Sequence, residues 1–321
     1  MPRSGTAADA APPREAARGW LRHRLGLAAL AALLDAFDGA AIPVIPLKGP
    51  HLAEALWEDP GLRPFTDLDL LVRRADVPRA VELLGTLGYR ALEWERPLAY
   101  ELAHATAAVF VPAAADPSAF PVDLHWDLVG FPAGARPHGL DVEEVWARAE
   151  RAEAGGRPVL RLAREDLLLY LALHLAVHHP LAGAAWEPDV ALLLRRHGGD
   201  LDWERVVERA RRWSVSGAVY LALRLVEERF SPGVPAAVFP RLRPRGPRGL
   251  LLDRIGPRGW RPEHLVALLV LDRTGDLAQA LLTAACPPPD WVRSRYGTRS
   301  ALQGYRAHYG RVGTILSRFL S

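Results

Sequence analysis

The sequence contains one cysteine, one methionine and one lysine in 321 residues. A lone Cys286 cannot close an internal disulfide, so a disulfide scaffold is excluded and nothing requires an oxidising compartment. Long apolar runs are missing too. Leu25–Leu34, Leu167–Val177 (interrupted by His174) and Leu265–Leu271 all fall short of the roughly 20 residues a membrane-spanning helix needs. Residues 1–14 carry Pro12 and Pro13 but lack the apolar stretch and small-residue cleavage site of a secretory signal, and they read as a flexible tail on a cytoplasmic protein.

What remains is a globular composition, half hydrophobic and 24% charged, which rules out wholesale disorder and collagen-like repeats. The length exceeds what one core usually serves and predicts two packed lobes. A net charge of +3 conceals an asymmetry: residues 1–150 hold 14 Lys+Arg against 21 Asp+Glu, whereas residues 151–321 hold 26 against 16. Arginine supplies 39 of the 40 basic residues, a coding bias that makes the one lysine, Lys48, conspicuous.

Helical spacing of Leu21, Leu25, Ala28, Ala32 and Phe37 predicts a first helix over Trp20–Phe37. Ile42–Leu47 is short, β-branched and proline-flanked, which suits a strand that its prolines confine to an edge or a terminus of the sheet. Lys48-Gly49-Pro50 turns into a helix ending at Trp57, with proline at its favoured first position. The loop Asp59–Pro64 precedes a second strand, Thr66–Val72. A helix over Ala75–Leu87 stops at Gly88, and Tyr89–Trp94, Ala107–Val111 and Phe120–Leu128 follow as strands. Beyond Gly155-Gly156 the periodicity is helical: Arg164–His178, Pro188–His197, Leu201–Trp213, Ser216–Phe230, Pro262–Arg273 and Leu277–Ala285. The predicted fold is α+β, with an α/β lobe over residues 15–150 and a helical bundle over 151–321, the latter interrupted by an irregular Pro/Gly/Arg-rich connector around 231–262.

The chemistry gathers on the strands. Alternation puts Asp67 and Asp69 on one face and Leu68 and Leu70 on the other. Paired carboxylates repel unless a cation lies between them, and magnesium is the usual hard, oxygen-seeking choice. Pro121-Val-Asp-Leu-His-Trp126 offers Asp123, with His125 on the same face to orient it by hydrogen bonding. If that strand pairs beside the first, three acids converge. Such a set can hold two Mg2+ ions for an in-line phosphoryl displacement. The turn at Gly49 lets backbone amides face an anion, Lys48 adds a point charge, and Arg63 presents a planar fork to phosphate oxygens.

The segments Leu47-Lys-Gly49, Leu62-Arg-Pro-Phe-Thr-Asp-Leu-Asp-Leu-Leu-Val72, Gly88-Tyr89 and Val122-Asp-Leu-His-Trp126 resemble a little-characterised nucleotidyltransferase family of the DNA polymerase β-like superfamily, often encoded near bacterial peptide natural-product genes. The likeness continues through Asp166-Leu-Leu-Leu169, His174–His179, Pro188–Leu194 and Asp202-Trp203, spanning about residues 20–235. It implies a polymerase β-like catalytic lobe, Mg2+, a nucleoside triphosphate such as ATP, and transfer of a nucleotidyl group to an acceptor hydroxyl with release of pyrophosphate. By that likeness Asp67, Asp69 and Asp123 hold the metals, while Lys48, Gly49 and Arg63 steady the phosphates. The chain departs from the superfamily pattern in following Gly49 with Pro50 where a serine is usual, and in placing seventeen residues between Gly49 and Asp67.

Two rival readings stand beside this one. A nucleotidyltransferase-fold module could present its helical lobe to a peptide or protein partner without catalysis. An RNA-directed enzyme is the third, yet the arginines Arg241, Arg243, Arg245, Arg248, Arg254 and Arg258 have only Trp260 as a stacking partner and read as solvated, so nucleic acid is not the expected acceptor. Tyr170, His174 and His178 form one helical stripe, with Asp189 opening the next helix. Zinc needs three or four ligands, and only Asp189 could be a third, so the histidines read as hydrogen-bonding Asp189 and Trp186 or lining the acceptor side of the cleft.

Overall fold

The computed structural model describes residues 13–92, 98, 101–102, 105–114, 116, 118–130, 139–178, 186–255 and 270–320. The expected tail at 1–14, the end of the strand at Trp94, His179, and residues 262–269 of the helix expected from Pro262 lie wholly or largely outside them.

Helix α1 (Pro13–Gly39) leads to β1 (Ile45–Pro46), and Pro46, with no amide to donate, sits on the edge of the sheet. Helix α2 (Pro50–Leu56), strand β2 (Leu68–Leu71), helix α3 (Val77–Thr86) and strands β3 (Tyr89–Ala91), β4 (Ala107–Pro112) and β5 (Val122–His125) follow in the expected order. The five strands assemble as β1-β2-β5-β4-β3. β2 and β5 run parallel at its centre, with Leu68 opposite Val122, Asp69 opposite Asp123 and Leu71 opposite His125.

Side-chain alternation gives this sheet two occupations. Leu68, Leu70, Val122 and Leu124 pack against Leu30, Leu33 and Phe37 of α1 and Val77, Ala80 and Leu84 of α3. Leu71 faces the other way and joins Ile45, Leu47, Leu52 and Leu56 in a core continuous with the helical half. Asp69, Asp123 and His125 share that second face by register, so the sheet turns its acids towards the helices.

After α4 (Val142–Ala147), a hairpin of β6 (Glu150–Ala154) and β7 (Arg157–Arg161) occupies a stretch the periodicity left without structure. Gly155 and Gly156 have φ of 57° and 76°, the left-handed pair that a two-residue hairpin turn demands. The Gly-Gly dipeptide was itself the legible signal.

The helical half comprises α5 (Arg164–Leu173), a π-turn over His174–His178, α6 (Trp186–His197), α7 (Trp203–Arg212) and α8 (Ser216–Phe230). The single helix expected over Arg164–His178 therefore changes its winding at His174. α8 is buried on almost every side from Ser216 to Leu223, which makes it the axis on which α5, α6 and α7 pack. Asp202 caps α7, accepting from the Arg205 amide at 3.1 Å.

The connector is less irregular than expected. It contains α9 (Val238–Leu242) and α10 (Pro247–Asp253), the latter started by Gly246 at φ 71° and proline at the first helical position. Three of its arginines are not simply solvated: Arg241 pairs with Glu204, Arg243 with Asp253 and Arg248 with Asp272. Arg245 and Arg254 are exposed as expected, and Arg258 and Trp260 lie outside the described residues. Helices α11 (Thr274–Ala285), α12 (Pro289–Tyr296) and α13 (Ala301–Leu320) complete the chain. Among the described residues no helix is long and apolar enough to cross a membrane.

His51 of α2 yields a pH prediction. It is buried, and burial, aided by the Arg161 charge, lowers its pKa from 6.5 to about 4. The folded value lies below the unfolded one, so the stability contributed by the neutral ring is complete above pH 6.5 and is lost as pH falls through 4. In urea unfolding, the wild type should lose up to about 3 kcal/mol more than His51→Gln over that interval. Parallel pH profiles for the two proteins would contradict the assignment.

Candidate active site

Leu47 is tied to the sheet by its amide, which donates to the Asp69 carbonyl at 2.9 Å. The next residues leave the sheet. Gly49 adopts φ 73°, and a Cβ there would begin 3.4 Å from the Asp67 carbonyl oxygen, so both the dihedral and the close approach favour glycine. Pro50 then opens α2. This turn delivers Lys48 to the acid-bearing face: its Nζ lies 2.8 Å from Asp69 Oδ1 and 3.1 Å from His174 Nε2, with the Tyr170 ring 5.8 Å away.

Asp69 is 3% exposed. It meets a second cationic partner in His125, whose Nε2 is 3.3 Å from Asp69 Oδ1 and 3.2 Å from Asp123 Oδ2. The imidazole thus bridges two carboxylates on adjacent parallel strands. Burial alone would lower the His125 pKa, but Asp123 and then Asp69 override it and lift the value to about 9. Burial would likewise raise Asp69, yet Lys48 and His125 hold it well below the usual carboxylate range. Asp123 is lowered as well, since His125 outweighs its partial burial.

One donor atom from each of Asp69, Asp123 and His125 falls within 4.8 Å of the others, a set able to hold a metal ion. Two carboxylates suit a hard divalent cation, and an imidazole can serve either as a further ligand or as the group that orients them. Asp67, expected to share the strand with Asp69, lies just before β2 and outside that close set. Its carboxyl is still within electrical reach: burial first and the Asp69 charge second raise its pKa.

Arg63 is placed differently from its expected role. The guanidinium is 4% exposed and forks onto Asp189, Nε at 2.9 Å from Oδ1 and Nη2 at 2.7 Å from Oδ2, while Nη1 donates to the Gly49 carbonyl at 3.2 Å. It is engaged by protein rather than offered to phosphate. Asp189, 0% exposed, also accepts from Trp57 Nε1 at 2.8 Å. Asp189 thus serves Arg63 and Trp57. His174 instead reaches Lys48 and meets Trp186 edge-on at 5.6 Å between ring centroids, and the His178 side chain lies outside the described residues.

The expected contact of His125 with Asp123 is present, whereas the Lys48–His174 and Arg63–Asp189 contacts were not foreseen. Both cross 126 residues of chain, so no local pattern announces them. His125 was more accessible, because it follows Asp123 by two and must share its face.

The arrangement is an acid cluster on a sheet face, beside a glycine turn that opens a helix. A family described as an uncharacterised nucleotidyltransferase matches residues 14–231, and the chain belongs to it. Among solved structures it is similar to the antibiotic-resistance factor ANT(2'')-Ia in solution, with 15% identity, 58% of this chain and 91% of that chain covered, and a TM-score of 0.39. No curated protein matches the chain.

The buried Arg63–Asp189 pair makes a stability prediction. Removing one partner strands a charge in the interior, so Arg63→Met or Asp189→Leu alone should cost about 3–5 kcal/mol, and the double variant should recover part of that loss. Urea denaturation of all four proteins measures it; strictly additive losses would show that the two residues do not act as a pair.

Proposed function

We propose that the chain is a magnesium-dependent enzyme that moves a nucleotidyl group from a nucleoside triphosphate, ATP being the first to test, onto the hydroxyl of a small molecule, peptide or protein. The observation that carries this reading is the register of β2 and β5, which sets Asp69 beside Asp123 at the foot of the Lys48-Gly49 turn. Membership of the nucleotidyltransferase family supports the reaction class.

Asp69 and Asp123, with Asp67 at the rim, are the residues that would hold Mg2+. When bound, magnesium supplies charge neutralisation for the triphosphate and for the oxygens of the transition state. Lys48 lies against Asp69 and His174, and its ammonium would exchange that carboxylate for phosphate oxygens when a triphosphate binds. The acceptor oxygen attacks the α-phosphorus, the bond from that phosphorus to the bridging oxygen of the β-phosphate breaks, and pyrophosphate leaves. Asp123, half-buried and hydrogen-bonded to His125, takes the acceptor's proton. Arg63 acts at one remove, as a positioning residue that anchors the Gly49 carbonyl to the helical half. The proposed setting is cytoplasmic, where triphosphate and magnesium coexist.

A second reading draws on one observation: Lys48 and His125 both lie against Asp69 and answer its charge from within the protein. On that view the fold is a catalytically silent module for a peptide or protein partner. Calorimetric titration with ATP separates the two. The enzyme reading predicts saturable ATP binding that needs magnesium and is strongly weakened in Asp123→Asn, a variant of a half-buried residue whose melting curve should stay close to wild type. Absence of binding with and without magnesium would favour the module.

A further inference from the structure

Lys48, the only lysine of the chain, is buried, and among the described residues its ammonium meets two hydrogen-bonding partners of different kind. Asp69 Oδ1 lies 2.8 Å away on the sheet. From the helical half comes the His174 ring, Nε2 at 3.1 Å and Nδ1 at 3.4 Å. An ammonium can only donate, so the imidazole has to answer it with a lone pair and is itself neutral in this contact.

The ring is well confined. His174 is buried at the start of the π-turn that follows α5, and its centroid lies 6.0 Å from the Tyr170 ring and 5.6 Å from the Trp186 ring. Its position is therefore set by two helices, α5 and α6, and not by the turn that carries Lys48.

The two partners act differently on the cation. Asp69 neutralises it, and on the proposed function Asp69 is also the carboxylate that a divalent metal claims. Once that oxygen is taken, an ammonium on a flexible stem with rotatable donors has no other fixed place in the protein. A neutral acceptor holds it there and leaves its whole charge for a phosphate oxygen. An acidic side chain at the same position would hold the lysine as well but cancel that charge.

We infer that His174 is a positioning residue: it keeps the Lys48 ammonium in place and uncompensated when metal occupies Asp69, so the helical half sets how tightly the triphosphate is gripped. The inference rests on the nucleotidyl-transfer reading and adds to it a residue that acts through Lys48.

Three variants separate position from charge. His174→Gln keeps a neutral acceptor, His174→Glu supplies one that neutralises the ammonium, and His174→Leu supplies none. In calorimetry with Mg2+ and a non-hydrolysable ATP analogue, His174→Gln should bind within about threefold of wild type, while His174→Glu and His174→Leu should each lose about tenfold or more, the scale of one hydrogen bond to a charged group. A single lysine also gives a direct view of the affected atom. With isotope-labelled lysine the protein carries one lysine side-chain signal, and its Cε resonance should move equally at saturation in wild type and His174→Gln and by less in the other two. Either of those two suffices if the other does not fold. A His174→Gln variant as weak as His174→Leu, or a His174→Glu variant as tight as wild type, would overturn the role of His174 and leave the reaction class standing. Failure of the wild type to bind the nucleotide would remove that reading and the inference with it.

Discussion

A carboxylate buried to 3% exposure has to be answered by positive charge, and Asp69 is answered from two sides. Lys48 approaches from the turn after β1 and His125 from the neighbouring parallel strand. Neither contact is a surface ion pair of marginal worth, since all three groups are buried. The same face must therefore keep its cations close whenever no metal is present. On the proposed function, an incoming metal would compete with them for the same oxygens, and the balance between resident and incoming charge would govern binding.

That balance depends on where the turn is held. Gly49 has a backbone that other residues adopt poorly, and its carbonyl is fixed by Arg63, which is fixed in turn by Asp189 and shares it with Trp57. A chain of buried hydrogen bonds thus runs from the helical half to the loop that carries Lys48. His174 closes a second connection, where α5 gives way to a π-turn, a winding defect often found at functional positions. The helices consequently help to hold the turn and its lysine in place.

Much of this was legible in the residues. The alternation in Leu68–Leu71 and Val122–His125 told which side chains share a face, and the prolines in Ile42–Leu47 narrowed that strand to an edge or a terminus of the sheet. The α+β class followed from the change of period after Gly155-Gly156. What escaped was non-local. Arg63 looks like a loop cation until Asp189 is folded beside it, and Asp189 looks like a helix-start acid until Arg63 arrives. Burial turns both from solvated charges into a joint, and burial is a property of the packed chain. The β6–β7 hairpin escaped for a different reason: its strands carry charged residues on an exposed face and blur the alternation, although the two glycines marked the turn.

The central claim is that Asp69 and Asp123 exchange resident cations for a divalent metal carrying a nucleotide. Anomalous diffraction from crystals grown with Mn2+ and a non-hydrolysable ATP analogue measures this directly. A manganese peak within bonding distance of both carboxylates, with Lys48 moved from Asp69 to a phosphate oxygen, is the predicted result. Manganese absent from these oxygens while the Lys48–Asp69 contact persists would contradict the account.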